Sequence, residues 1–528
     1  MTCKSTDNCL ILRLFYTDNM ENLNLSLLET YVFEKSNLLV DDASYSSLMN
    51  SFSFLENFSK DKIIYGINTG FGPMAQIRIE PENLHDLQYN LIRSHSTGVG
   101  KPLSPLYARS VVLARLNNFL QANSGISSGV VKQLELFINH NIAPEIPEHG
   151  SVGASGDLVQ LAHLGLNLIG EGNVFYKGEK RKTEDVFKQL NISPLELKLR
   201  DGLGIMNGTS CMTGIAAVNL IYAKRLLDLS IAVSSILNEI NDAYDDSFSK
   251  ELNAVKKHKG QENVAQKMRS FLSDSKMIRK REELFNDDKA LSTTKFKEKI
   301  QEYYSLRCVP QILGPVSDTL SFAQQIIEDE LNSTSDNPIV SPENDNVFHG
   351  GNFHGDYISL EMDKVKLVIT KLTMLMERQF NYLLNDKLND KFPPFLNAAK
   401  LGFNFGYQGL QFTVTSTTSE NQALSSSVYI HSIPNNNDNQ DIVSMGTNSA
   451  LMTKTVIENG FQVMAIHIMG ICQAIDLLPE KDKENISSKG KEIYNLIRTK
   501  VKFTVEDRIM SQEIESIITL LKDTKLAL

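Results

Sequence analysis

One segment, residues 212–240, is apolar on nearly every face of a helix, and it restricts the possible folds more than any other feature of the 528-residue sequence. A helix without a polar face is buried among other elements rather than lying on a surface. Residues 104–140 and 452–478 have the same character, and the apolar residues of 362–383 recur at intervals of three and four. These patterns predict a bundle of long helices.

Strand-like alternation is rare, and the best hairpin candidate is 174–182, which has Lys-Gly at its middle. Because strands and helices do not alternate along the chain, a doubly wound nucleotide-binding fold is disfavoured. We therefore predict one all-α unit, with a loop-rich N-terminal part (20–205) and a long helical bundle followed by C-terminal helices (206–528). Residues 1–19 are interpreted as an upstream extension, since Met20 begins a more conventional N-terminus.

Composition excludes several classes of function. The formal charge of −10 argues against a nucleic-acid binder, which needs a basic face. Five cysteines are scattered without paired spacing and ten histidines show no metal-ligand spacing, so we predict no disulfide framework, no metal site and a reducing cytoplasm. The apolar stretch 212–238 is interrupted by Lys224, Arg225 and Asp228, so no segment is expected to span a membrane.

Five polar segments rich in glycine, asparagine or serine interrupt the helical pattern. Helix packing does not require such long connections, and long loops without structure of their own are usually functional. We therefore expect a functional site to be built from these segments, which are 65–74, 148–157, 202–211, 349–356 and 415–446.

The most unusual of these loops contains "GSVGASGDLVQLAH" (150–163), in which glycines recur every third residue before an acid. A phosphate-binding loop needs a different glycine spacing and a following lysine, and a serine-hydrolase elbow needs one residue between Ser155 and the next glycine. Capping of the following helix by Ser155 or Asp157 is physically sound. It does not explain the backbone freedom on both sides of Ala-Ser-Gly.

A third interpretation is that the backbone itself is chemically altered. If the chain bends tightly, the amide nitrogen of Gly156 reaches the carbonyl carbon of Ala154 and closes a five-membered ring, which favours a residue without a Cβ. Loss of water, including the Ser155 hydroxyl, leaves an exocyclic methylidene group. The loop would then carry a strong electrophile made without any added cofactor.

This loop resembles the signature of the aromatic amino acid ammonia-lyase family, which carries a methylidene-imidazolone (MIO) group made from Ala-Ser-Gly. The resemblance implies an elongated all-helical fold of the fumarase/aspartase-like superfamily and a homotetramer whose active sites draw residues from three subunits. It also implies loss of ammonia from an aromatic L-amino acid to give a trans-2-enoate. Over residues 20–500, the resemblance includes "YGINTGFGP" (65–73), "NGTS" (207–210), "YYSLRCVPQ" (303–311), "NSTSDNP" (332–338), "GGNFHGDY" (350–357) and "NQDIVSMG" (439–446).

Within this resemblance, Tyr65 matches the family's base, which removes a weakly acidic proton from the substrate's β-carbon. A phenol is a weak acid, so it acts as a base only where its surroundings assist the transfer. Gly66, Gly70 and Gly72 give the Tyr65 loop the flexibility expected of a lid that excludes water.

Arg307 matches the residue that anchors the substrate carboxylate. Its planar guanidinium binds a carboxylate through two hydrogen bonds, which a lysine cannot reproduce. Tyr304 and Gln301 lie three and six residues earlier, and on a helix they would share the face of Arg307 and line one pocket with it.

The resemblance assigns four further residues around the ring and the substrate. Asn207 matches an asparagine that hydrogen-bonds the substrate's carboxylate end or the ring. Phe353 is expected to pack near the ring, and Gln440 to orient the ring's oxygen side. Glu420, expected in a polar loop, matches a carboxylate near the amine or the aromatic head of the substrate.

The substrate depends on a doublet that is Ser94-His95 in this sequence, expected near the start of an inner helix. In the family, His-Leu is typical of tyrosine-selective members, Phe-Leu of phenylalanine-selective members and Ser-His of histidine lyases. The segment "NQDIVSMG" instead resembles the phenylalanine/tyrosine pattern, and 63–76 and 431–450 resemble a tyrosine ammonia-lyase branch of Bacteroidetes that also carries Ser-His. We therefore predict L-tyrosine, with its phenol hydroxyl bonded to Ser94 or His95.

Three alternatives remain open. A histidine ammonia-lyase, which forms urocanate, is the second candidate, and an MIO-dependent 2,3-aminomutase, which shares every catalytic residue, is the third. A catalytically silent helical scaffold is the alternative from a different class. The intact Ala-Ser-Gly sequence, Tyr65 and Arg307 argue against that last alternative.

Overall fold

The computed structural model describes residues 22–285, 294, 296 and 299–525, and the chain within these ranges is predominantly helical. The proposed extension 1–19 lies outside the described residues. The helices are α1 (Leu25–Val32), α2 (Asp42–Phe58), α3 (Leu84–His95), α4 (Pro105–Leu120), α5 (Ser128–Asn139), α6 (Leu158–Leu168), α7 (Thr183–Leu190), α8 (Asp201–Met206), α9 (Ser210–Ile240), α10 (Lys250–Ala254), α11 (Lys259–Phe271), α12 (Arg281–Phe285), α13 (Tyr304–Arg307), α14 (Val309–Leu331), α15 (Asp356–Leu384), α16 (Asp386–Asn389), α17 (Gln408–Leu424), α18 (Gly446–Leu477), α19 (Glu480–Lys483), α20 (Ser488–Arg498) and α21 (Ser511–Asp523).

The strands are few, short and antiparallel. The predicted hairpin is confirmed, with a turn at Lys177 and Gly178, both of which have positive φ. The pairs are β1 with β3, β2 with β4, β4 with β5, and β6 with β7, where the strands are β1 (Val99–Pro102), β2 (Ala143–Pro144), β3 (Pro147–His149), β4 (Asn173–Tyr176), β5 (Glu179–Lys182), β6 (Ile339–Ser341) and β7 (Asn346–Phe348).

The long helices expected from the apolar patterns are present as α9, α15 and α18, and the all-α fold class is confirmed. The apolar run 104–140 is different, because it forms two helices, α4 and α5, rather than one. Ala122 and Gly125 adopt left-handed φ values of 58° and 60° between them. A left-handed backbone cannot continue a right-handed helix, so the chain turns there despite its apolar composition. The predicted division after residue 205 stays a prediction.

Three of the long helices begin at the same end of the bundle. Asp157 accepts hydrogen bonds from the amide of Met212 in the first turn of α9 (2.8 Å) and from the hydroxyl of Thr447 in the first turn of α18 (2.6 Å). Gly355, immediately before α15, donates its amide to the carbonyl of Gly153 (3.1 Å). The loop 150–157 therefore lies where α9, α15 and α18 start.

Helix α14 runs in the opposite direction beside them. Glu330, near its C-terminal end, accepts a hydrogen bond from Thr209, which directly precedes α9. At 1.5 Å per residue, the 31 residues of α9 extend about 46 Å, so the two ends of the bundle are far apart.

By length and hydropathy, one helix in the described ranges, α18, is able to cross a membrane, which differs from the expectation for the sequence. However, 83% of its most apolar window is buried inside the protein. Its apolar surface packs against α9, α15 and α17. This burial is typical of the core helix of a bundle, which needs apolar residues on all its faces.

Candidate functional site

Asp157 joins the glycine-rich loop to the two longest helices. Its carboxylate is fully buried and accepts hydrogen bonds from Ser151 Oγ (2.6 Å), from Thr447 Oγ1 (2.6 Å) and from the amide of Met212. Burial raises the pKa of Asp157, and these donors oppose that effect. Although Asp157 directly precedes α6, its side chain does not cap α6 as expected from the sequence, and instead binds the first turn of α9.

Four helix N-termini surround the loop. Helices α6, α9, α15 and α18 begin at residues 158, 210, 356 and 446, and their first turns or preceding residues contact the segment 153–157. The N-terminus of a helix carries a partial positive charge from its unpaired amides. Their convergence makes this end of the bundle favourable for negative charge that develops during a reaction.

Two glycines in the loop are in contact with neighbouring backbone or side-chain atoms. A Cβ added to Gly156, which has a φ of 73°, would lie 2.1 Å from the carbonyl oxygen of Gly208. A Cβ at Gly153 (φ 71°) would lie 2.1 Å from Ser444 Oγ. Only glycine fits such positions, as ring closure between Ala154 and Gly156 also requires. The loop is therefore compatible with an MIO group.

The two oxygens of Ser155 have different partners. Asn207 Nδ2 donates to the backbone carbonyl oxygen of Ser155 at 2.9 Å, and Gln440 Nε2 donates to its hydroxyl at 2.9 Å. The orientation of the Asn207 amide follows from its other contact, since its Oδ1 accepts the amide hydrogen of Asn337 at 2.8 Å. The NH₂ group of Asn207 must then face Ser155.

A buried cluster of charged side chains binds the backbone of Asn207 and of its hydrogen-bond partner Asn337. Asp336 lies 4.0 Å from Arg115 and 3.6 Å from Arg200, and all three side chains have no exposed surface. Burial lowers the pKa of Arg115 to about 10 and raises the pKa of Asp336. Arg115 donates to the carbonyl of Asn207 (2.8 Å), and Arg200 donates to the carbonyl of Asn337 (2.9 Å).

Sequence analysis did not identify this cluster. "NSTSDNP" was recognised as a motif without a role for Asp336, and Arg115 lies in a run that was interpreted only as apolar. A useful signal was present, because an arginine inside an otherwise apolar helix is almost never buried without a partner. What the sequence lacked was the identity of that partner, 221 residues away along the chain.

Tyr65 lies in a loop that packs against residues close in sequence to Asn207 and Gln440, the two residues whose side-chain amides contact Ser155. Its hydroxyl oxygen accepts the amide hydrogen of Gly72 at 3.0 Å. A Cβ at Gly66 would lie 2.2 Å from the side chain of Leu203, and one at Gly72 would lie 2.8 Å from the side-chain amide of Asn436. Leu203 and Asn436 each precede one of the two amide residues, Asn207 and Gln440, by four positions. The Tyr65 loop is therefore packed beside the Ser155 site.

The loop that carries Gln440 is anchored by a buried carboxylate. Asp363 on α15 accepts hydrogen bonds from the amides of Val428 and Tyr429 (2.7 and 2.9 Å) and from Ser427 and Ser449, and it pairs with Lys366. Burial opposes ionisation, but these donors outweigh it and the pKa of Asp363 is lowered. Apart from Lys366, the partners of Asp363 are distant along the chain, so no local sequence pattern indicates this anchor.

Phe353 lies in the loop that Gly355 connects to the Ser155 loop. The amide of Gly355 donates to the carbonyl of Gly153, and the side chain of Phe353 is half-buried. This brings the "GGNFHG" segment beside the ring-forming residues. The role of Phe353 as a packing partner of the ring stays a prediction.

Ser94 and His95 form the last turn of α3, not the start of a helix as the sequence suggested. His95 Nδ1 lies 3.0 Å from the carbonyl oxygen of Leu91 and 3.1 Å from Ser94 Oγ. Helix α3 packs against α6, which begins directly after the segment 153–157, and against α8, which ends directly before Asn207. The doublet is therefore on the same side of the bundle as Ser155.

Arg307, Tyr304 and Gln301 lie elsewhere. The guanidinium of Arg307 is 4.7 Å from the centre of the Tyr304 ring, which is 69% exposed, and Arg307 Nε is buried with no hydrogen-bond partner among the described residues. Helix α13 begins at Tyr304, so Gln301 precedes the helix and, contrary to our prediction, does not share a helical face with Arg307. Gln301 is exposed.

These residues are at the opposite end of the bundle from Ser155. The carbonyl of Leu306 accepts from Asn238, and that of Ser305 accepts from Gln379, near the C-terminal ends of α9 and α15. Met212, which binds Asp157, is 26 residues before Asn238 on α9, about 39 Å along the helix. One chain does not bring Arg307 and Ser155 to the same small molecule.

Glu420 is also remote from Ser155, and it lies on helix α17 rather than in the polar loop expected from the sequence. Its carboxylate accepts a hydrogen bond from Asn459 at 2.8 Å. Asn459 is 13 residues from the start of α18, or about 20 Å along it. The alternation of Thr and Ser before Glu420 hid a helix whose buried residues include Val414 and Thr418.

The chain has relatives among proteins of known function. The family model for aromatic amino acid lyases matches residues 23–499. A tyrosine 2,3-aminomutase of Chondromyces crocatus is 40% identical over 449 residues, 84% of each chain. A histidine ammonia-lyase of Halalkalibacterium halodurans is 36% identical over 503 residues, 95% of each chain. The solved structure of a tyrosine aminomutase from Streptomyces globisporus has a TM-score of 0.91, with 33% identity over 96% of both chains.

Proposed function

The chain belongs to the aromatic amino acid lyase family, as its motifs indicated, and we propose that it is an ammonia-lyase that converts L-tyrosine to trans-p-coumarate and ammonia. One observation carries the proposal. Ser155 is held by amide donors on both of its oxygens, beside a Gly156 that leaves no room for a Cβ. This arrangement supports formation of an MIO group from Ala154, Ser155 and Gly156.

An MIO group formed from Ala154, Ser155 and Gly156 supplies an electrophilic carbon that makes the substrate's amine a better leaving group. The residues around it provide the rest of the chemistry. Asn207 donates to the Ser155 carbonyl oxygen, which remains in the ring, and the four helix N-termini favour electron density at that oxygen.

Tyr65 is proposed as the base that accepts the β-proton. The amide of Gly72 donates a hydrogen bond to its hydroxyl oxygen at 3.0 Å, and Phe71 packs edge-on against its ring. These contacts fix the position of the ring and of its oxygen, which a base requires. The side-chain amide of Asn436 lies 2.8 Å from where a Cβ of residue 72 would be, so the loop packs against the segment that leads to Gln440.

Arg307 is proposed to bind the substrate carboxylate from a different subunit. Among the described residues, Arg307 Nε has no hydrogen-bond partner, and Tyr304 presents an exposed ring beside the guanidinium. Because Arg307 lies about 39 Å from the Ser155 end within one chain, a complete site requires another copy. We therefore propose a homotetramer with shared sites, in which Glu420 and Gln301 are also supplied by neighbouring subunits.

His95 supports tyrosine as the substrate. The Leu91 carbonyl can only accept a hydrogen bond, so a neutral His95 carries its proton on Nδ1 and has Nε2 as an acceptor. A phenol hydroxyl is a suitable donor to that nitrogen. The segment "NQDIVSMG", which resembles the phenylalanine/tyrosine pattern, also lies close to the Phe353 loop, since the carbonyl oxygen of Ile442 is 3.3 Å from His354 Nε2.

Two observations favour other members of the family. The relative from Chondromyces crocatus is a tyrosine 2,3-aminomutase, which supports tyrosine as the substrate and a β-amino acid as the product. The relative from Halalkalibacterium halodurans is a histidine ammonia-lyase, in agreement with the Ser94-His95 doublet. The reaction products separate these candidates directly.

The test uses the purified full-length protein with tyrosine, histidine and phenylalanine in separate reactions. We expect p-coumarate to appear fastest, detected by its absorbance and by chromatography, together with one equivalent of ammonia. Urocanate formed as fast as p-coumarate, or β-tyrosine as the main product, would contradict the proposal. Ser155→Ala should abolish most activity, and the wild-type chain should be lighter than its sequence by two waters.

A further inference from the structure

The two amides that contact Ser155 bind oxygens with different fates. Asn207 binds the carbonyl oxygen, which remains in an MIO ring, whereas Gln440 binds the hydroxyl oxygen, which leaves as water when the ring forms. In the finished ring, the partner of Gln440 no longer exists. A donor aimed at an atom that is absent from the mature protein indicates a role before maturation.

We propose that Gln440 catalyses the dehydration of Ser155 during ring formation, an inference that rests on the MIO group proposed above. As the C–O bond of Ser155 breaks, negative charge develops on the departing oxygen. An N–H donor at 2.9 Å stabilises that charge. Gln440 thus acts on a reacting atom of its own chain rather than on the substrate.

The atoms of the ring-forming reaction balance without a co-reactant. Closure joins the Gly156 nitrogen to the Ala154 carbonyl carbon, and the Ala154 oxygen leaves as water with the amide hydrogens of Ser155 and Gly156. The second water takes the Ser155 hydroxyl and the Cα hydrogen, and the electron pair of the Cα–H bond becomes the Cα=Cβ bond. Gln440 assists the second loss, and Gly156 takes part in the first.

The backbone holds Gln440 in place in the unmodified chain. Gln440 and Asn435 exchange two backbone hydrogen bonds, at 2.9 and 3.2 Å, across a turn in which residues 436–438 all have φ between 52° and 58°. Asparagine and aspartate tolerate this left-handed conformation better than most residues. The backbone of Gln440 is therefore positioned by its own turn, and its side chain reaches Ser155 from there.

The segment after Gln440 follows the ring-forming loop. Ser444 Oγ donates to the carbonyl of Gly153 at 2.9 Å, and the amide of Met445 donates to the carbonyl of Val152 at 3.0 Å. With the Thr447–Asp157 hydrogen bond, these contacts align residues 440–447 with 152–157 before any chemistry has occurred. The turn before Gln440 and the contacts of residues 444–447 after it both keep Gln440 next to Ser155.

The experiment measures ring formation and not turnover. Wild-type, Gln440→Glu and Gln440→Met chains are made in a cell-free system at several pH values, and the intact mass is followed with time. Glutamate and methionine are close to glutamine in size, but an ionised carboxylate and a thioether donate no hydrogen bond. We expect both variants to lose their two waters about tenfold more slowly than wild type near pH 8.

Acid pH distinguishes loss of the donor from damage to the loop. A protonated glutamate donates a hydrogen bond, so ring formation in Gln440→Glu should accelerate as the pH falls from 8 to 5, whereas Gln440→Met should show no such gain over wild type. The matched control is Asn439→Ala, which removes an exposed amide one residue away and should mature at the wild-type rate.

The outcomes separate this inference from the proposed function. If wild-type protein never loses two waters, the proposed function fails. If wild type matures and both Gln440 variants mature at the same rate, only the role of Gln440 is refuted. Equal pH responses in the Glu and Met variants would also refute it, because the effect would then not depend on a donor at position 440.

Discussion

The two ends of helix α9 differ in how completely one chain builds them. At the N-terminal end, Asp157 and Ser155 have their hydrogen-bond partners within the chain. At the C-terminal end, Arg307 Nε has no partner among the described residues, and Tyr304 is largely exposed. The difference agrees with the proposal that one chain is sufficient to prepare the electrophile, whereas binding of a substrate requires a second chain.

The largest expected effect is the recovery of activity in mixed oligomers of two inactive variants, which tests this difference between the two ends. Ser155→Ala and Arg307→Gln proteins should each be inactive alone, the first without a ring and the second without a carboxylate anchor. When both chains are co-expressed, about a quarter of the sites should combine an intact ring with an intact arginine, if subunits mix at random. The two chains would carry different tags, so that oligomers containing both can be purified together. We would then measure p-coumarate formation by these mixed oligomers.

A complete absence of activity in the mixed oligomer would contradict the assignment of Ser155 and Arg307 to different subunits. Mixing the purified homo-oligomers without exchange of subunits is the control. It should remain inactive.

Asp336→Asn should produce the next largest effect, at the N-terminal end. It leaves Arg115 and Arg200 buried without a counter-charge, which typically costs about 3–5 kcal/mol of unfolding free energy. Denaturant unfolding of the full-length protein would measure the loss. Because Asn207 loses its support, the fraction of chains lacking two waters in the mass spectrum should fall as well.

The matched control for Asp336→Asn is Asp507→Asn, which changes an exposed carboxylate that accepts the amides of Phe405 and Gly406. It should leave the ring content unchanged. An Asp336→Asn protein as stable as wild type would show that the buried cluster does not support the site.

Arg307→Lys should affect only the C-terminal end. Replacing a two-pronged donor by a single ammonium weakens carboxylate binding, and we expect kcat/KM to fall by roughly a hundredfold, equivalent to ~2.7 kcal/mol. The mass should still show loss of two waters, because Arg307 is remote from Ser155. A variant that fails to form the ring would contradict the separation of the two ends.

The smallest expected effect is a change in the pH dependence of stability at His467, which lies at neither end of the bundle. It is fully buried on α18 with both ring nitrogens unpaired among the described residues, and burial lowers its pKa to about 3. Below pH 6.5 the unfolded chain binds a proton that the folded protein does not accept until about pH 3, so stability falls as the pH decreases through this range. At pH 5 the cost is about 2 kcal/mol.

His467→Leu removes this cost, and it should therefore lose less unfolding free energy than wild type between pH 7 and pH 5. Denaturant unfolding at the two pH values measures the difference. Ring content and kcat/KM at pH 8 should be unaffected, since His467 is 21 residues from the start of α18, about 32 Å along the helix. Equal acid sensitivity of the two proteins would rule out His467 as a source of it.

The helical core was predictable because its signal is local. The apolar residues of 212–240 and 362–383 recur at the period of a helix, and the structure has α9 and α15 there. The hairpin at 174–182 followed from Lys177 and Gly178, whose positive φ is favoured in two-residue turns. The division of 104–140 was missed because its turn carries no proline and only one glycine.

The candidate site was predictable only in part, for the same physical reason. Ala154, Ser155 and Gly156 are adjacent, so their potential to form a ring is visible in the sequence. The placement of Glu420 on a helix and of Ser94-His95 at the end of one depended on burial that a polar sequence does not reveal. Gln301 was placed on a helical face that begins three residues later.

The sequence alone therefore determined the family and the all-α fold class, and it indicated the candidate ring-forming residues, because these depend on helical periodicity and on residues adjacent along the chain. Only the tertiary structure decided which donors serve each oxygen of Ser155, since Asn207 is 52 and Gln440 is 285 residues away. It also separated Arg307 from Ser155 by the length of α9. Such contacts arise from the packing of whole helices, which no local pattern encodes.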